Sequence, residues 1–144
     1  MKKTLLSSVL LASSLLLSST SFADQSKGLN VLVTAPERQS QMMALVLSIQ
    51  TIKKHGKKVN MVLCSAAGDL TLNATKTEAL KGPDKSPTQM LKALIKMGGS
   101  VEICPLYLPS VGKTKDDLIE GITIAKPPVV AGRLLDTDYT NLSY

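Results

Sequence analysis

Two cysteines, one histidine and a scatter of carboxylates are the side chains of this 144-residue chain able to act as nucleophiles, bases or metal ligands. Cys64 closes the run Val59 to Cys64 (VNMVLC), and Cys104 closes Val101 to Cys104 (VEIC). Both runs are apolar and rich in β-branched residues, so each cysteine falls at the end of an expected strand. Strands of a parallel sheet finish at one edge, and α/β proteins build their ligand sites along that edge. The chemistry within reach of a thiol there is nucleophilic attack, sulfur carriage or disulfide exchange, all of which need the thiolate form. Cys64 follows Val62 and Leu63, a setting in which a buried and inert thiol is the usual outcome. Cys104 differs because Pro105 follows it: the ladder loses a donor and the chain must turn away, leaving the sulfur at the mouth of the sheet. The loop from Pro105 to Lys113 then leads to an expected helix, whose N-terminus would lower a thiol pKa if it points inward. One cysteine at a strand end is by itself a weak signal, and on these grounds alone Cys104 reads as structural.

The other constellations are weaker. His55 sits among Lys53, Lys54, Lys57 and Lys58 at an expected helix end, where cations favour the negative end of the helix dipole. Asp116 and Asp117 follow Thr114 and fit a capped first turn better than a carboxylate pair. Two cysteines and one histidine cannot be assembled into a four-ligand zinc set of strong spacing. Gly98 and Gly99 follow a helix and not a strand, so they do not make a phosphate loop. Met90 and Met97 recur at helical spacing with Leu91, Leu94 and Ile95, which fits core packing better than cuprous-ion binding. Neither a metal nor a cofactor is expected.

The elements that must position the cysteines follow from periodicity and punctuation. Asn30 to Thr34 has the form of a strand buried on both faces. A helix is expected from about Glu37 to His55, stopped by a left-handed Gly56. It is apolar from Met42 to Leu47 and again at Ile49 and Ile52, a wider surface than one sheet covers, so another helix or a second subunit should take the surplus. Val59 to Ser65 is the second strand. Ala66 to Lys85 is long for a connection and suggests a lid or a short helical turn near Thr77 to Lys81. Ser86, Pro87 and Gln89 spell a capping box that opens the next helix. Val101 to Leu108 is the third strand, shortened by Pro105. Thr114 opens a helix with Leu118, Ile119, Ile122 and Ala125 on its inner face; Pro127 and Pro128 end it, and a last strand begins at Val129. The tail from Asp136 to Tyr144 either adds an edge strand or stays irregular. Strands alternating with helices imply an α/β three-layer sandwich around a mainly parallel sheet of about five strands. With a flavodoxin-like strand order of 2-1-3, the first strand would separate the cysteines by two spacings, about 9.6 Å. That exceeds the roughly 7 Å Cα limit for a disulfide, although loop residues could relax it.

The first 23 residues read as a cleavable secretory signal. Lys2 and Lys3 precede a run from Leu5 to Leu17 made of Leu, Val, Ala, Ser and Thr, and Ser21-Phe22-Ala23 places small residues before a cut at Asp24. The run is short of the roughly 20 apolar residues that span a bilayer. Residues 24–144 then form one domain. The 17 basic side chains lose Lys2 and Lys3 and become 15, against 11 acidic ones, a modest surplus. The chain has no Trp, and its only Phe, Phe22, leaves with the signal. Tyr107, Tyr139 and Tyr144 offer few platforms for stacking bases, which disfavours nucleic acid as a partner. Cleavage also leaves no membrane segment, and the expected location is the periplasm.

The succession NVLVTAP, a helix, VNMVLCSAAG, a capped helix ending MGG, then VEICPLYLP and DDLIEGI resembles the DsrE-like sulfur-relay family, also called YchN-like. The resemblance covers most of residues 24–144. It implies a YchN-like fold, subunits assembled as dimers, trimers or hexamers, and a cysteine at the end of the third strand that accepts and passes on a persulfide sulfur. Cys104 matches that position and Cys64 does not. The partners implied are further copies of the chain and a sulfur donor or acceptor protein. Members of this kind work in the cytoplasm and usually continue after the cysteine into a small-residue helix with an Arg-Gly pair. This chain has Pro105 to Pro109 and Gly112 there, without an arginine. A non-catalytic module binding a small ligand or a partner through the same fold is the alternative.

Overall fold

In the computed structural model, residues 26–82 and 84–144 are described; the expected signal segment, residues 1–23, lies outside them. Gly28–Val33 forms β1 and Lys58–Leu63 forms β2, joined by α1, Arg38–His55. Gly56 stops α1 at φ 61°, and Lys53, Lys54 and His55 occupy its last turn as the dipole favours. A 3-10 segment, Ser65–Thr71, follows β2. The long connection has no helical turn at Thr77 to Lys81; Leu80 and Lys85 instead meet in an isolated antiparallel bridge.

Ser86 opens α2, Pro87–Lys96, through the full capping box: its hydroxyl accepts from the Gln89 amide, and the Gln89 side chain accepts from the Ser86 amide. Ser100–Ile103 is β3, shorter than the sequence suggests, because the chain after Pro105 winds into a single turn, α3, at Tyr107–Ser110. Ile122–Ile124 is β4, Pro127–Leu135 is α4 and Tyr139–Ser143 is β5. The tail thus supplies an edge strand.

Two expected elements exchange identities. Thr114 does cap a helical start, but only the turn Lys115–Asp117 forms, and Ile122 enters a strand. The helix stops because the Ile119 amide is taken by the Thr71 carbonyl at 2.8 Å, and Gly121 turns at φ 89°. Pro127 and Pro128 then start a helix in place of ending one. Proline suits a first helical turn, where its missing N–H would have had no partner.

All five strands run parallel in the order β4-β3-β2-β1-β5. The expected α/β sandwich around a mainly parallel five-stranded sheet is present. Its order differs from 2-1-3, however, and β2 and β3 are direct neighbours.

Alternation along the strands sorts the sheet into two unlike faces. Val31 and Val33, Val59, Met61 and Leu63, and Val101 and Ile103 share one face. They pack with Leu45 and Ile49 of α1 and Leu91 and Leu94 of α2 in the main core. Each such side chain contributes about 1.5–3 kcal/mol on burial. The surplus apolar side of α1 is only partly taken up by α2: Met43 and Leu47 remain exposed.

The opposite face is polar near its centre. Asn60, Asn30 and Asn141 stand in register on three adjacent strands. The Asn60 amide donates to the Asn30 carbonyl oxygen (3.0 Å), and Asn30 donates to Asn141 (3.0 Å) and to the Arg133 carbonyl of α4 (2.6 Å). Asn141 also donates to the Leu134 carbonyl at 2.7 Å. Glu102 on β3 pairs with the Arg133 guanidinium. These polar contacts seat α4, which buries none of its own residues fully.

Asn30 is 4% exposed and makes three of these bonds. Asn30→Ala strands their partners in a dry environment and should lower stability by about 1–3 kcal/mol. Urea unfolding followed by circular dichroism checks this, and an unchanged midpoint would contradict the seating role assigned to the asparagine row.

Candidate functional site

One residue beyond the end of β2 and of β3, the backbone ladder continues. The Cys64 amide donates to the Val33 carbonyl (2.9 Å), the Cys104 amide to Leu63 (2.8 Å) and the Ala125 amide to Ile103 (2.9 Å). Leu63 lies opposite Ile103 in the parallel register, so the next positions, Cys64 and Cys104, lie opposite each other. By alternation both fall on the face of Asn60, Val62 and Glu102, and Cys104 also packs against the margin of the main core. They are free thiols, each partly exposed.

This corrects two expectations. Cys64 is not buried, because the face it joins is roofed only by α4. Nor does β1 stand between the cysteines. One strand spacing, about 4.8 Å, replaces the two expected from a 2-1-3 order. That separation lies inside the Cα range of about 4.4–6.8 Å that a disulfide spans.

The two sulfurs open on a single apolar cavity of about 300 Å³, walled by Leu32, Val62, Ala125, Pro127, Val130 and Leu134. Burial raises the Cys64 pKa above the ordinary thiol range, and its hydrogen bond with Cys104 adds to the rise. The Ser65 amide, hydrogen-bonded to the same sulfur, works in the opposite direction. Ser65 itself has φ 52°. For a residue with a Cβ the left-handed region costs of order 1 kcal/mol, and here it coincides with an amide turned toward a thiol.

The expected helix N-terminus is not supplied by the loop after Cys104, which forms only the four-residue α3. The N-terminus of α4 borders the cavity but offers it few donors. Pro127 and Pro128 have no amide hydrogen, and the Val129 and Val130 amides both donate to the Lys126 carbonyl.

Sequence reasoning about isolated residues missed a clamp that ties together the segments following the two cysteines. The Tyr107 hydroxyl donates to the Asp69 carboxylate, and the ring lies against Gly68. Burial, reinforced by Asp69, pushes the Tyr107 pKa above the ordinary phenol range, so the side chain stays a neutral donor. The Tyr107 amide in turn donates to the Cys104 carbonyl at 3.0 Å. The available signal was the pair of small residues Ala67-Gly68 one turn after Cys64, matched by the aromatic three residues after Cys104.

The remaining candidates stay apart from this site. His55 is exposed in the last turn of α1, at the other end of the sheet from the cysteines. Asp117 caps its own turn: it accepts from the Thr114 amide at 2.9 Å, and that bond holds its carboxyl below the usual range. Among the described residues, no group of three or more His, Cys, Asp or Glu is placed to hold a metal ion, and no helix is long and apolar enough to cross a membrane.

A Cβ on Gly68 would stand 2.4 Å from the Tyr107 ring. Gly68→Ala should therefore cost about 1–3 kcal/mol through overpacking. It should also speed alkylation of Cys104 as the clamp loosens. Denaturant unfolding and peptide-resolved alkylation measure the two effects; a fully stable variant would show that the contact is not tight.

No protein-family model and no curated protein matches the chain. Solved structures do. The crystal structure of the ychN protein from E. coli superposes with a TM-score of 0.69 at 21% identity, covering 83% of this chain and 99% of that one. A protein of unknown function from Methanobacterium thermoautotrophicum superposes with a TM-score of 0.59 at 12% identity over the same shares. The parallel sheet with paired cysteines at its carboxyl edge is thus built on the YchN-like fold, as the resemblance to the DsrE-like family implies.

Proposed function

We propose that this protein is a periplasmic DsrE-like protein that carries sulfur as a persulfide, or undergoes a thiol redox step, at Cys104. The observation that carries the reading is the partly exposed Cys104 thiol at the carboxyl end of β3, opening on a cavity with apolar walls. In its thiolate form Cys104 attacks the outer sulfur of a persulfide donor, R–S–SH. The S–S bond breaks, R–S⁻ leaves and Cys104 holds –S–SH. An acceptor thiolate reverses the same exchange. Apolar walls limit water around the bound sulfur, and the closest polar group, the second thiol, belongs to the same chemistry. The pattern of residues 1–23 supports the periplasmic assignment.

Exposed apolar side chains support assembly with further copies of the chain. Met43 and Leu47 form one such surface on α1, while Leu106 and Val129 lie close in sequence to the Cys104 and Pro127 that line the cysteine cavity. Sedimentation analysis should find an oligomer, and introducing a charge in Met43→Glu should shift it toward smaller species. A wild-type protein that sediments as a monomer at all concentrations would remove this part of the proposal.

The cavity itself favours a second reading, a module that binds a small apolar ligand or a partner and performs no sulfur chemistry. One experiment separates the two. Reduced protein is exposed to inorganic polysulfide, desalted and weighed intact. The carrier gains one sulfur atom per chain, or discharges it as HS⁻ and is left two hydrogens lighter, and Cys104→Ser does neither. A Cys104→Ser variant that still takes up one sulfur would defeat the assignment to Cys104, and a wild type that neither gains sulfur nor loses two hydrogens with release of HS⁻ favours the binding module.

A further inference from the structure

We propose that Cys64 is the resolving partner of Cys104, so that the two thiols close a reversible disulfide across β2 and β3 and release whatever adduct Cys104 holds. Two geometric observations support the pairing. The register places the residues opposite each other on adjacent strands and on the same face of the sheet. Both cysteines line the same cavity. Both cysteines also lie one residue past their strands, so closing a bridge does not displace a central part of the ladder.

The exchange balances without any further oxidant. With a disulfide R–S–S–R, the Cys104 thiolate forms Cys104–S–S–R and expels R–S⁻. The Cys64 thiolate then attacks the Cys104 sulfur, forms the Cys64–Cys104 disulfide and expels a second R–S⁻. With Cys104 persulfide, the same attack expels the outer sulfur as HS⁻: that sulfur is reduced by two electrons while the two cysteine sulfurs are oxidised. An external dithiol returns the pair to the reduced state. The persulfide version rests on the sulfur-carrying role proposed for Cys104; the disulfide version does not.

Oxidised glutathione is the first probe. Reduced wild-type protein, Cys64→Ser and Cys64→Ala are incubated with it, quenched in acid and weighed intact, with circular dichroism confirming that each variant is folded. Wild type should lose two hydrogens, carry no glutathione and yield the Cys64–Cys104 peptide pair on non-reducing digestion. The Cys64 variants should retain one glutathione on Cys104, with a lifetime longer by on the order of a hundredfold or more, since a neighbouring thiol acts at a high effective concentration. A wild-type adduct as long-lived as that of the variants would overturn the proposal, as would a bridge found only between chains.

Inorganic polysulfide is the second probe, with HS⁻ counted per chain. If the Cys64 variants keep a Cys104 persulfide while wild type releases HS⁻ and closes the bridge, both readings are supported. If wild type keeps the persulfide as long as the variants do, the resolving role is overturned and the carrier stands. If no protein takes up sulfur yet glutathione still closes the bridge in wild type, the carrier reading fails and the resolving pair stands.

Discussion

Where β2 and β3 pair in parallel, Met61 lies against Val101, Val62 against Glu102 and Leu63 against Ile103. That register decides what can happen one residue later. Side chains alternate with a period of two, so slipping one strand by a single residue would send one cysteine to the α1–α2 face and leave the other behind. The slip is resisted because the slipped strand would take its own set out of the main core, Val59, Met61 and Leu63 for β2 or Val101 and Ile103 for β3, each at a cost of order 1.5 kcal/mol or more. The apolar core on one face therefore fixes the positions of two sulfurs on the other. The site follows from packing that reaches it only at its margin, through Cys104 and Tyr107.

The two faces divide the labour. The α1–α2 side supplies most of the burial and most of the large buried apolar side chains. The α4 side is held by an asparagine row and the Glu102–Arg133 pair, with a cavity left over the cysteines. Hydrogen bonds of this kind are directional. They set the height and angle of α4 without filling the space beneath it, as a layer of leucines would. The Tyr107–Asp69 clamp does the equivalent for the segments that leave the cysteine edge.

Much of this was legible in the residues, and the limit is physical. Caps and stops are local: Gly56, the Ser86–Gln89 box and the Thr114 start each need only neighbours in the chain, and each is found as expected. The first strands are equally plain from their β-branched runs. The stretch from Thr114 to Leu135 misleads because Leu118, Ile119, Ile122 and Ala125 fit a helical stripe. What breaks it is a distant acceptor, the Thr71 carbonyl, invisible to any local window. Proline pairs are also ambiguous in sequence, since a proline that can end a helix can equally occupy its first turn. Strand order is tertiary throughout. Cys104 at a strand end could be read from Pro105, but the exposure of Cys64 and its place beside Cys104 could not, because both depend on which strands adjoin and on how little α4 covers.

The way α4 is attached has a consequence for access. A helix of nine residues that buries none of them fully, and is tethered by a few polar contacts, sits at the low end of the range of local opening energies. It can lift from the sheet while β1, β2 and β3 keep their ladder, because the core that stabilises those strands lies on the opposite side. Native-state amide exchange would register this as a small cooperative unit, weakly protected, riding on a strongly protected sheet. A bulky protein donor therefore need not fit the cavity as α4 shapes it. The free energy that gates its approach to the sulfurs belongs to α4 and can change independently of the stability of the fold.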